Sequence, residues 1–591
     1  MKNFKNKITT ALLGGALLLG GASCSDWLEL EPENSVTASK YWQTKEDVAN
    51  AMTGIYCSLV QTADRMFMQG EMRADYLAPG PKDNGGYVTL YRGEITSSNA
   101  WVSWAPYYTV INNCNLLLEK AGLALENDPS FTVGEYNVYL AQAKTVRAYM
   151  YFYLLRVYKD VPYVTWAYFD DLTERNCAVT AQYDILKDLI TQMEQVLADK
   201  ALPAAYDSYN PHSAANKGQV TQYFLQTLLA DMYRWMGAIE TSPASALQAN
   251  MRCVELCDEV IASGVFSLAN VEVAEPTAET LEEALLPADS AFFMYVEDFA
   301  IAKMFDSLYV QGNSRESIFE LQIDQKDVNP FYNMMVSSSR QYMPNNEYIR
   351  DNIFLATENQ HAMKGGYADI RYRLNCVGAG EQKYIWKYAS NGFNNGMDIY
   401  TSSDEYVRNI LLYRLAEVYL MKAEALTQVA WATDNDQVAL LEAYRAAYKV
   451  RKRASAVETT DVLLDNGNSM QVTFWNQLNN NEAITLEGNA TLSAQNMESF
   501  ILDEQGRELA FEGRRWFDVL RHTIRNNYGK GAGVGGNFNY LYNIVAASTT
   551  VDKANYMRTV YQNYESHYLP YPYQDVKYND LLTQKPFYGV E

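Results

Sequence analysis

The sequence ELAFEGRRWFDVLRH, residues 508–522, has the pattern of one amphipathic helix. Four of its residues recur at spacings of three and four and would lie on one face of that helix: Leu509, Gly513, Trp516 and Leu520. Because Gly513 has no Cβ atom, another stretch of backbone can approach this face closely. The stretch therefore predicts a helix that packs tightly against its neighbours.

The same stretch carries three acids and three arginines, and these charges allow two interpretations. In a helix, Arg514 can pair with Asp518, and Asp518 with Arg521. Glu508 and Glu512 are like charges one turn apart, so they need partners from elsewhere in the chain. The cluster is either a functional site or the solvated, salt-bridged side of a packing helix. The periodicity favours the packing helix.

The composition predicts a folded globular chain and argues against polyanions as ligands. Its 591 residues, 48% apolar and 20% charged, suffice for two domains or one helical array. The net charge of −23 argues against nucleic acids and acidic polymers as ligands. The 46 tyrosines offer flat apolar rings with a polar tip, which suit sugar rings but also pack between helices. With only four histidines, we expect no multi-histidine metal site and no cofactor.

Residues 1–23 have the features of a lipoprotein signal peptide. A basic start precedes an apolar run that is too short and too glycine-rich to span a membrane, and small residues precede Cys24. Cleavage before Cys24 would leave an acylated N-terminal cysteine, and several acyl chains anchor a protein stably where one chain does not. An ordinary secretory signal with an incidental cysteine is the alternative.

Eight further stretches have helical periodicity, which makes the predicted fold mainly α. They are residues 49–62, 104–121, 141–158, 182–198, 217–237, 245–263, 409–428 and 437–453. Small and aromatic residues on their facing sides suggest helical hairpins of the TPR kind, although no copy of that repeat is intact. Three stretches lose the periodicity and are predicted to be irregular: residues 68–103, 265–400 and 529–564.

Several separate motifs, in order along the chain, resemble those of the SusD/RagB family of nutrient-capturing outer-membrane lipoproteins. They are Gly21-Ala22-Ser23-Cys24, which resembles a lipobox, Thr37 with Tyr41-Trp42, the run Trp104-xxx-Tyr108-xx-Ile111-xxx-Asn115, Asp160-Val161-Pro162, residues 508–522, Tyr568-Leu569-Pro570-Tyr571-Pro572 and Gln584-Lys585-Pro586-Phe587-Tyr588. The chain departs from the family pattern at four positions, which are Gly21 in place of Leu, Lys159 in place of Gly, Lys585 in place of Asn and Phe587 in place of Gly.

This resemblance implies a mainly α fold, in which a TPR-like helical-hairpin superhelix carries a large irregular lobe with few short strands. The implied domains are a lipoprotein signal peptide at 1–23, a lipid-anchored tether at 24–40, an N-terminal TPR-like scaffold with ligand loops at 41–264, an irregular variable lobe at 265–400, and C-terminal TPR-like helices with the family-signature tail at 401–591.

The resemblance also implies a function. Such a protein would be anchored in the outer membrane through Cys24, stand on the cell surface, and deliver a captured nutrient to a SusC-like TonB-dependent transporter without catalysis. An oligosaccharide or polysaccharide is the favoured ligand, and a peptide, as for RagB-like proteins, is the alternative. A lipid-anchored glycan hydrolase is a third hypothesis, because carboxylates are plentiful, although no spacing singles out a catalytic pair.

In this family, ligands are held by loops after the first helices and by the irregular lobe, so the candidate residues are matched by region only. They are Asp75, Tyr87, Tyr91, Arg92, Asn99 and Trp101 from the loops, and Tyr309, Tyr332, Arg340 and Tyr342 from the lobe. An aromatic ring would stack on the apolar face of a sugar, while Arg, Asp and Asn would bind its hydroxyl groups. Trp101 is the favoured platform, because Trp104 fits the helical motif and is assigned to packing.

Overall fold

The computed structural model describes most of the chain between residues 41 and 589, and most of what it describes is helical, as predicted. The described residues are 41–80, 86–168, 176–269, 306–323, 330–335, 342–345, 371, 375–377, 384–385, 387, 393–394, 398–399, 408–454, 459–463, 469–473, 493–528, 539–547 and 551–589. The predicted signal peptide, Cys24 and the tether lie outside them. Among the described helices, none has both the length and the apolar composition that a membrane span requires.

The N-terminal part of the chain forms helices that pack as hairpins. Their bounds are α1 Lys45–Val60, α2 Ala63–Glu71, α3 Gly86–Arg92, α4 Ala105–Asn127, α5 Val133–Tyr158, α6 Gln182–Ala198, α7 Ala214–Gly218, α8 Gln222–Ile239 and α9 Pro243–Ala262. Helix α4 packs on α5, and α8 packs on α9, across short connections. The side chains of Thr44 and Thr132 cap α1 and α5 within capping boxes.

The C-terminal part adds a second set of helices that shares the core of the first. Their bounds, with one short helix before them, are α10 Phe331–Met335, α11 Leu415–Ala432, α12 Gln437–Ala454, α13 Ala494–Glu508, α14 Arg515–Tyr528, α15 Asn539–Ala547, α16 Val551–Tyr561 and α17 Tyr573–Tyr578. Helices α11 and α12 form another hairpin, and α11 also packs on α9. Buried apolar side chains from both sets form one continuous cluster, so the two parts of the chain stabilise each other.

Short antiparallel strand pairs tie the predicted lobe to this scaffold. The strands are β1 Leu77–Pro79, β2 Val161–Pro162, β3 Val179–Thr180, β4 Ser317–Leu321, β5 Tyr342–Pro344, β6 Cys376–Val377, β7 Tyr384–Ile385, β8 Phe393–Asn394, β9 Asp398–Ile399, β10 Ile410–Arg414, β11 Thr459–Leu463 and β12 Ser469–Thr473. Strand β5 pairs with β1, and β4 pairs with β10. Through these two pairs, pieces of the lobe are hydrogen-bonded to both the N-terminal and the C-terminal part.

The predicted helix at 409–428 begins as a strand, so the prediction is wrong for its first residues. Residues Ile410–Arg414 pair with β4, and the helix starts only at Leu415. All five strand residues are buried, which gives a continuous apolar run whose periodicity does not separate a strand from a helix. The stretch 68–103 is also more regular than predicted, because it contains the end of α2, then β1 and α3.

Residues 508–522 form the end of one helix, a loop and the start of another, so the prediction of a single helix is wrong. Helix α13 ends at Glu508 and α14 begins at Arg515. Between them Phe511 and Gly513 have positive φ angles of 61° and 74°. The left-handed conformation is unfavourable for a residue with a Cβ, so the burial of the Phe511 ring must hold this loop in place.

The close backbone approach expected at Gly513 is present, and its partner is Gly70 in α2. A Cβ atom on Gly70 would overlap the carbonyl group of Gly513, and a Cβ on Gly513 would lie 3.4 Å from the carbonyl oxygen of Met66. Helix α2 and the loop at 509–514 therefore touch through backbone atoms. Only glycine at position 70 permits this contact.

The charges around this loop are buried, so the expectation of a solvated face is wrong. We call them the central ion cluster, which comprises Glu71, Asp75, Glu316, Lys387, Arg414, Glu417, Glu424, Glu508, Glu512, Arg514, Arg515, Asp518 and Arg521. As predicted, Glu508 and Glu512 take a partner from elsewhere, and it is Arg414 for both. Burial opposes ionisation, but Arg414 and Lys387 hold the pKa of Glu512 at about 2.

Two arginines of this stretch differ in how well their ion-pair partners were predicted: the partner of Arg521 was predicted, and that of Arg514 was not. Arg521 pairs with Asp518 at 2.7 Å, as the helical spacing predicts. Arg514 pairs instead with Glu417 of α11, with 3.3 Å between nitrogen and oxygen, and also donates to the carbonyl oxygen of Leu412. The stretch therefore binds neighbouring elements, which confirms its interpretation as part of the scaffold.

Two acids from α2 and the turn after it complete the central ion cluster. Asp75 binds Arg515 through both carboxylate oxygens, each at 2.9 Å. Oε1 of Glu71 accepts the backbone N–H groups of Gly513 at 2.9 Å and Arg514 at 3.2 Å, so it caps the start of α14. Burial raises the pKa of Glu71 to about 8, although these two N–H donors oppose the shift.

We predict opposite effects of one substitution at two helical glycines. Gly70→Ala should lower the free energy of unfolding by about 2 kcal/mol or more, because the new methyl group overlaps backbone. Gly54→Ala should raise it by about 0.5–1 kcal/mol, because position 54 lies within α1 with no atom near the new methyl group. Urea titration followed by circular dichroism measures both changes, and equal effects would contradict the proposed backbone contact.

We also predict that Arg514→Ala lowers the free energy of unfolding by about 3 kcal/mol, because it leaves Glu417 buried without its cation. The matched control is Arg252→Ala, which removes a partly exposed cation from Glu194 and should cost less than about 1 kcal/mol. Chemical denaturation compares the two. Folded Arg514→Ala should keep the ligand range of the wild type, and a changed range would show that this residue belongs to the binding site.

Candidate ligand-binding site

A cavity of about 600 Å³ opens where α2, α3 and the turn Ala100–Val102 meet. We call it the Trp101 cavity, and its lining residues are Arg65, Gly86, Tyr87, Thr89, Thr96, Ser98, Asn99, Ala100 and Trp101. Its volume lies within the range of small-molecule sites, roughly 300–1,000 Å³. Three of the predicted residues therefore come together here: Tyr87, Asn99 and Trp101.

Trp101 is half-buried and its ring is held from two sides. The ring centroid lies 5.1 Å from that of Tyr87 at an angle of 40°, and the guanidinium carbon of Arg65 lies 5.3 Å from it. Arg65 also donates from Nη1 to the carbonyl oxygen of Ala100 at 2.8 Å. These contacts fix the indole while part of it stays exposed, which is what stacking on a sugar ring requires.

Asn99 shapes the wall of the Trp101 cavity. Its Oδ1 accepts the backbone N–H of Trp101 at 2.8 Å. Its Nδ2 donates to the carbonyl oxygen of Gly86 at 3.0 Å and to Oγ1 of Thr89 at 2.8 Å. The side chain thus joins the turn of Trp101 to the start of α3. The exposed hydroxyl groups of Thr96 and Ser98, 3.1 Å apart, remain within reach of a ligand.

Tyr342 lies beneath the cavity and supports Tyr87. The two rings meet edge to face with centroids 5.1 Å apart, and Tyr342 is fully buried. Pairing of β5 with β1 places Tyr342 opposite Pro79. Burial raises the pKa of Tyr87 to about 12 and that of Tyr342 well above its ordinary value, so both hydroxyl groups are neutral at physiological pH. The lobe therefore contributes the support of the cavity through Tyr342.

Asp75 and Tyr309 were predicted to contact the ligand, but the structure places them away from the Trp101 cavity. The Asp75 carboxylate is fully buried, and its two oxygens are bound by Arg515. The Tyr309 ring is buried beneath the ammonium group of Lys387, and its hydroxyl donates to Glu512 at 3.1 Å. Both side chains belong to the central ion cluster and its surroundings, and neither lines the Trp101 cavity.

Of the remaining predicted residues, some do not line the cavity and the others lie outside the residues that the structure describes. Tyr91 is half-buried against the core, and Arg92 is exposed, both in the last turn of α3. Arg340 and the side chain of Tyr332 lie outside the described residues. Trp104, which the sequence assigns to packing, is buried at the start of α4, so that assignment is confirmed.

The sequence prediction missed six residues that line the cavity: Arg65, Gly86, Thr89, Thr96, Ser98 and Ala100. Arg65 was missed because the first helix was extended to residue 62, although α1 ends at Val60 and α2 begins at Ala63. Thr62 followed by Asp64 is a helix-start pattern that could have revealed this break. The small hydroxyl residues carry no signal in a single sequence.

Sequence models of known families match two long stretches of the chain, on either side of residues 226–298. One, described as the SusD family, matches residues 299–588, and another, described as starch-binding and associating with the outer membrane, matches residues 26–225. The chain belongs to the SusD/RagB family. SusD-like protein P38 of Formosa agariphila is 24% identical to this SusD/RagB protein over 539 residues, covering 88% of this chain and 92% of that protein.

Solved structures share the fold of this SusD/RagB chain. A SusD superfamily protein from Bacteroides vulgatus superposes with a TM-score of 0.63 at 16% identity, covering 93% of this chain and 100% of that one. Surface glycan-binding protein A from Bacteroides uniformis gives a TM-score of 0.59 at 18% identity, covering 92% of this chain and 100% of that one. These similarities confirm the predicted SusD-like, mainly α fold.

Proposed function

We propose that this protein is a surface lipoprotein that captures a glycan and delivers it to a SusC-like TonB-dependent transporter in the outer membrane. The Trp101 cavity is the proposed binding site. The observation that carries this proposal is the fixed, half-exposed indole of Trp101 beside a set of hydroxyl groups, in a chain of the SusD/RagB family.

The side chains of the cavity suit a sugar. The exposed part of the Trp101 ring would contact the C–H face of a pyranose, while Arg65, Thr96 and Ser98 offer hydrogen bonds to its hydroxyl groups. Tyr87 and Asn99 hold these groups in place and need no rearrangement when the ligand binds. A preformed site of this kind keeps the entropy cost of binding low.

The lining favours binding over cleavage. Glycosidases use two carboxyl groups about 5–10 Å apart on either side of the scissile bond. The residues that line the Trp101 cavity, all in the described part of the chain, include no aspartate and no glutamate. We therefore propose that the protein holds its ligand without hydrolysing it. Incubating the wild-type protein with a glycan panel tests this, and released oligosaccharides would contradict it.

Two observations support the outer-membrane setting. The sequence before Cys24 resembles a lipobox, and one matching family model is described as associating with the outer membrane. Membership of the SusD/RagB family supports a transporter as the proposed partner. Ligand binding would favour closure of the protein over its transporter only if the ligand contacts both partners in the closed state.

We predict that Trp101→Ala weakens oligosaccharide binding about tenfold or more, because the stacking platform is removed. The matched control is Tyr209→Ala, which removes an aromatic ring that is 98% exposed and lines no part of the cavity. Isothermal titration with neutral oligosaccharides and with peptides measures both variants. Unchanged affinity of Trp101→Ala would contradict the site, and binding of peptides alone would favour the RagB-like alternative.

We also predict that Cys24→Ala moves the protein from the membrane fraction to the soluble fraction, because the acylated residue is lost. Fractionation of cells that express the full chain, followed by immunoblotting, measures this change. Cys57→Ala is the matched control, since it removes an exposed cysteine that is not the proposed acylation site and should leave the protein in the membrane fraction. Membrane retention of Cys24→Ala would contradict the lipid anchor.

A further inference from the structure

A second cavity, of about 380 Å³, lies between the N-terminal half of α4, the segment after β2, and helix α17. We call it the Trp104 cavity. It shares no lining residue with the Trp101 cavity, although the two lie on neighbouring stretches of chain before and within α4. No part of the proposed capture mechanism uses it.

The Trp104 cavity combines aromatic rings with amide groups. Its apolar surface includes the partly exposed rings of Tyr108 and Tyr168, and the packed ring of Trp104 also lines it. The polar groups are supplied by Thr109, Asn112, Asn113, Asp575 and Asn579. Rings beside several amide and hydroxyl groups are the combination that binds the apolar face and the hydroxyl groups of a sugar together.

Side-chain hydrogen bonds fix the wall that faces α4. Asn112 donates to the carbonyl oxygen of Tyr168 at 2.9 Å and accepts its N–H at 2.7 Å. Asn115, one turn further along α4, donates to the carbonyl oxygen of Trp166 at 2.9 Å. The amide of Asn579 donates to the carbonyl oxygen of Cys177 at 2.8 Å. The wall is therefore built before any ligand arrives.

Exposed rings stand beside this cavity. Trp166 is 41% exposed, and its ring lies 6.2 Å from that of Tyr168 in an edge-to-face arrangement. Tyr578, 70% exposed, lies on α17 between the cavity residues Asp575 and Asn579. Large exposed aromatic side chains that cluster beside a concave site are typical of a binding surface.

The charge of the lining selects the kind of sugar. Among the lining residues, all of them described, there is no lysine, arginine or histidine, and Asp575 is the one carboxyl group. An anionic ligand would find no cation there and would be repelled by Asp575 once it is ionised. A neutral ligand meets no such penalty.

We propose that the Trp104 cavity is a second binding site, for a neutral sugar residue, so that one polysaccharide chain attaches to the protein at two points. The proposal rests on the glycan capture proposed above. Two linked sites raise the affinity for a long chain well above that for a short oligosaccharide, which occupies one site at a time.

The test is electrophoresis of the folded protein through gels that contain a polysaccharide. The probes are amylopectin, laminarin, galactomannan and inulin, which are neutral, and polygalacturonate, which is anionic. Thr109→Trp places a large side chain in the cavity from an exposed position on α4. Leu123→Trp is the matched control, because Leu123 is 47% exposed on the same helix and lines neither cavity.

We expect Thr109→Trp to weaken binding of the neutral polysaccharide that retards the wild type by about tenfold or more. Leu123→Trp should change this binding by less than about twofold. Trp166→Ala, a second variant at an exposed position, should weaken it in the same direction. Adding Trp101→Ala to Thr109→Trp should abolish the remaining retardation. If polygalacturonate retards the wild type and Thr109→Trp removes that retardation, the assignment to a neutral sugar is overturned.

Other outcomes separate this inference from the proposed function. If Trp101→Ala alone abolishes retardation while Thr109→Trp and Trp166→Ala bind like the wild type, the second site is refuted and glycan capture stands. If Thr109→Trp weakens binding and Trp101→Ala does not, the Trp104 cavity binds glycan and the Trp101 cavity is not its site. If no polysaccharide retards the wild type, both proposals are contradicted.

Discussion

A carboxyl group from the N-terminal part of the chain starts a helix in the C-terminal part. Glu71 accepts the N–H groups of Gly513 and Arg514, and Asp75 binds Arg515 directly after them. A buried charge such as the Asp75 carboxylate is tolerated only when its partner is present, so the segments that carry Asp75 and Arg515 must reach their places together. Apolar residues of similar volume often stabilise such positions as well as ion pairs do. We therefore interpret the central ion cluster as determining which segments meet.

The geometry of the Trp101 cavity depends on the contacts between α2 and the C-terminal part of the chain. The helix carries Arg65 in its first turn and Glu71 in its last, about 9 Å apart along the axis at 1.5 Å per residue. Because Glu71 and Gly70 lock α2 against the loop at 509–514, the guanidinium group over Trp101 is positioned by distant helices. Recognition by loops on a rigid frame is the usual arrangement, and here the frame includes both parts of the chain.

Local patterns in the sequence predicted what local chemistry decides. Helix Gln182–Ala198 has its predicted bounds, because its amphipathic stripe is complete. The strand Ile410–Arg414 and the loop at 509–514 were missed, because pairing with β4 and packing on α2 decide their conformations. The same limit applies to the site: its loop was predicted, but Asp75 became an ion-pair partner while Arg65 lined the cavity. Single-sequence periodicity does not encode partners that are hundreds of residues apart.

The ion pair between Asp75 and Arg515 spans 440 residues, and this separation has a consequence for biosynthesis. At about 5–20 residues per second, the ribosome adds Arg515 several tens of seconds after Asp75. Until then Glu71 and Asp75 remain exposed to water, and α2 lacks the loop at 509–514 on which it packs. The early chain therefore lacks the contacts that hold α2 in place during most of its synthesis. For a protein that we propose to be exported, such a delay would favour the incompletely folded form that a translocation channel accepts.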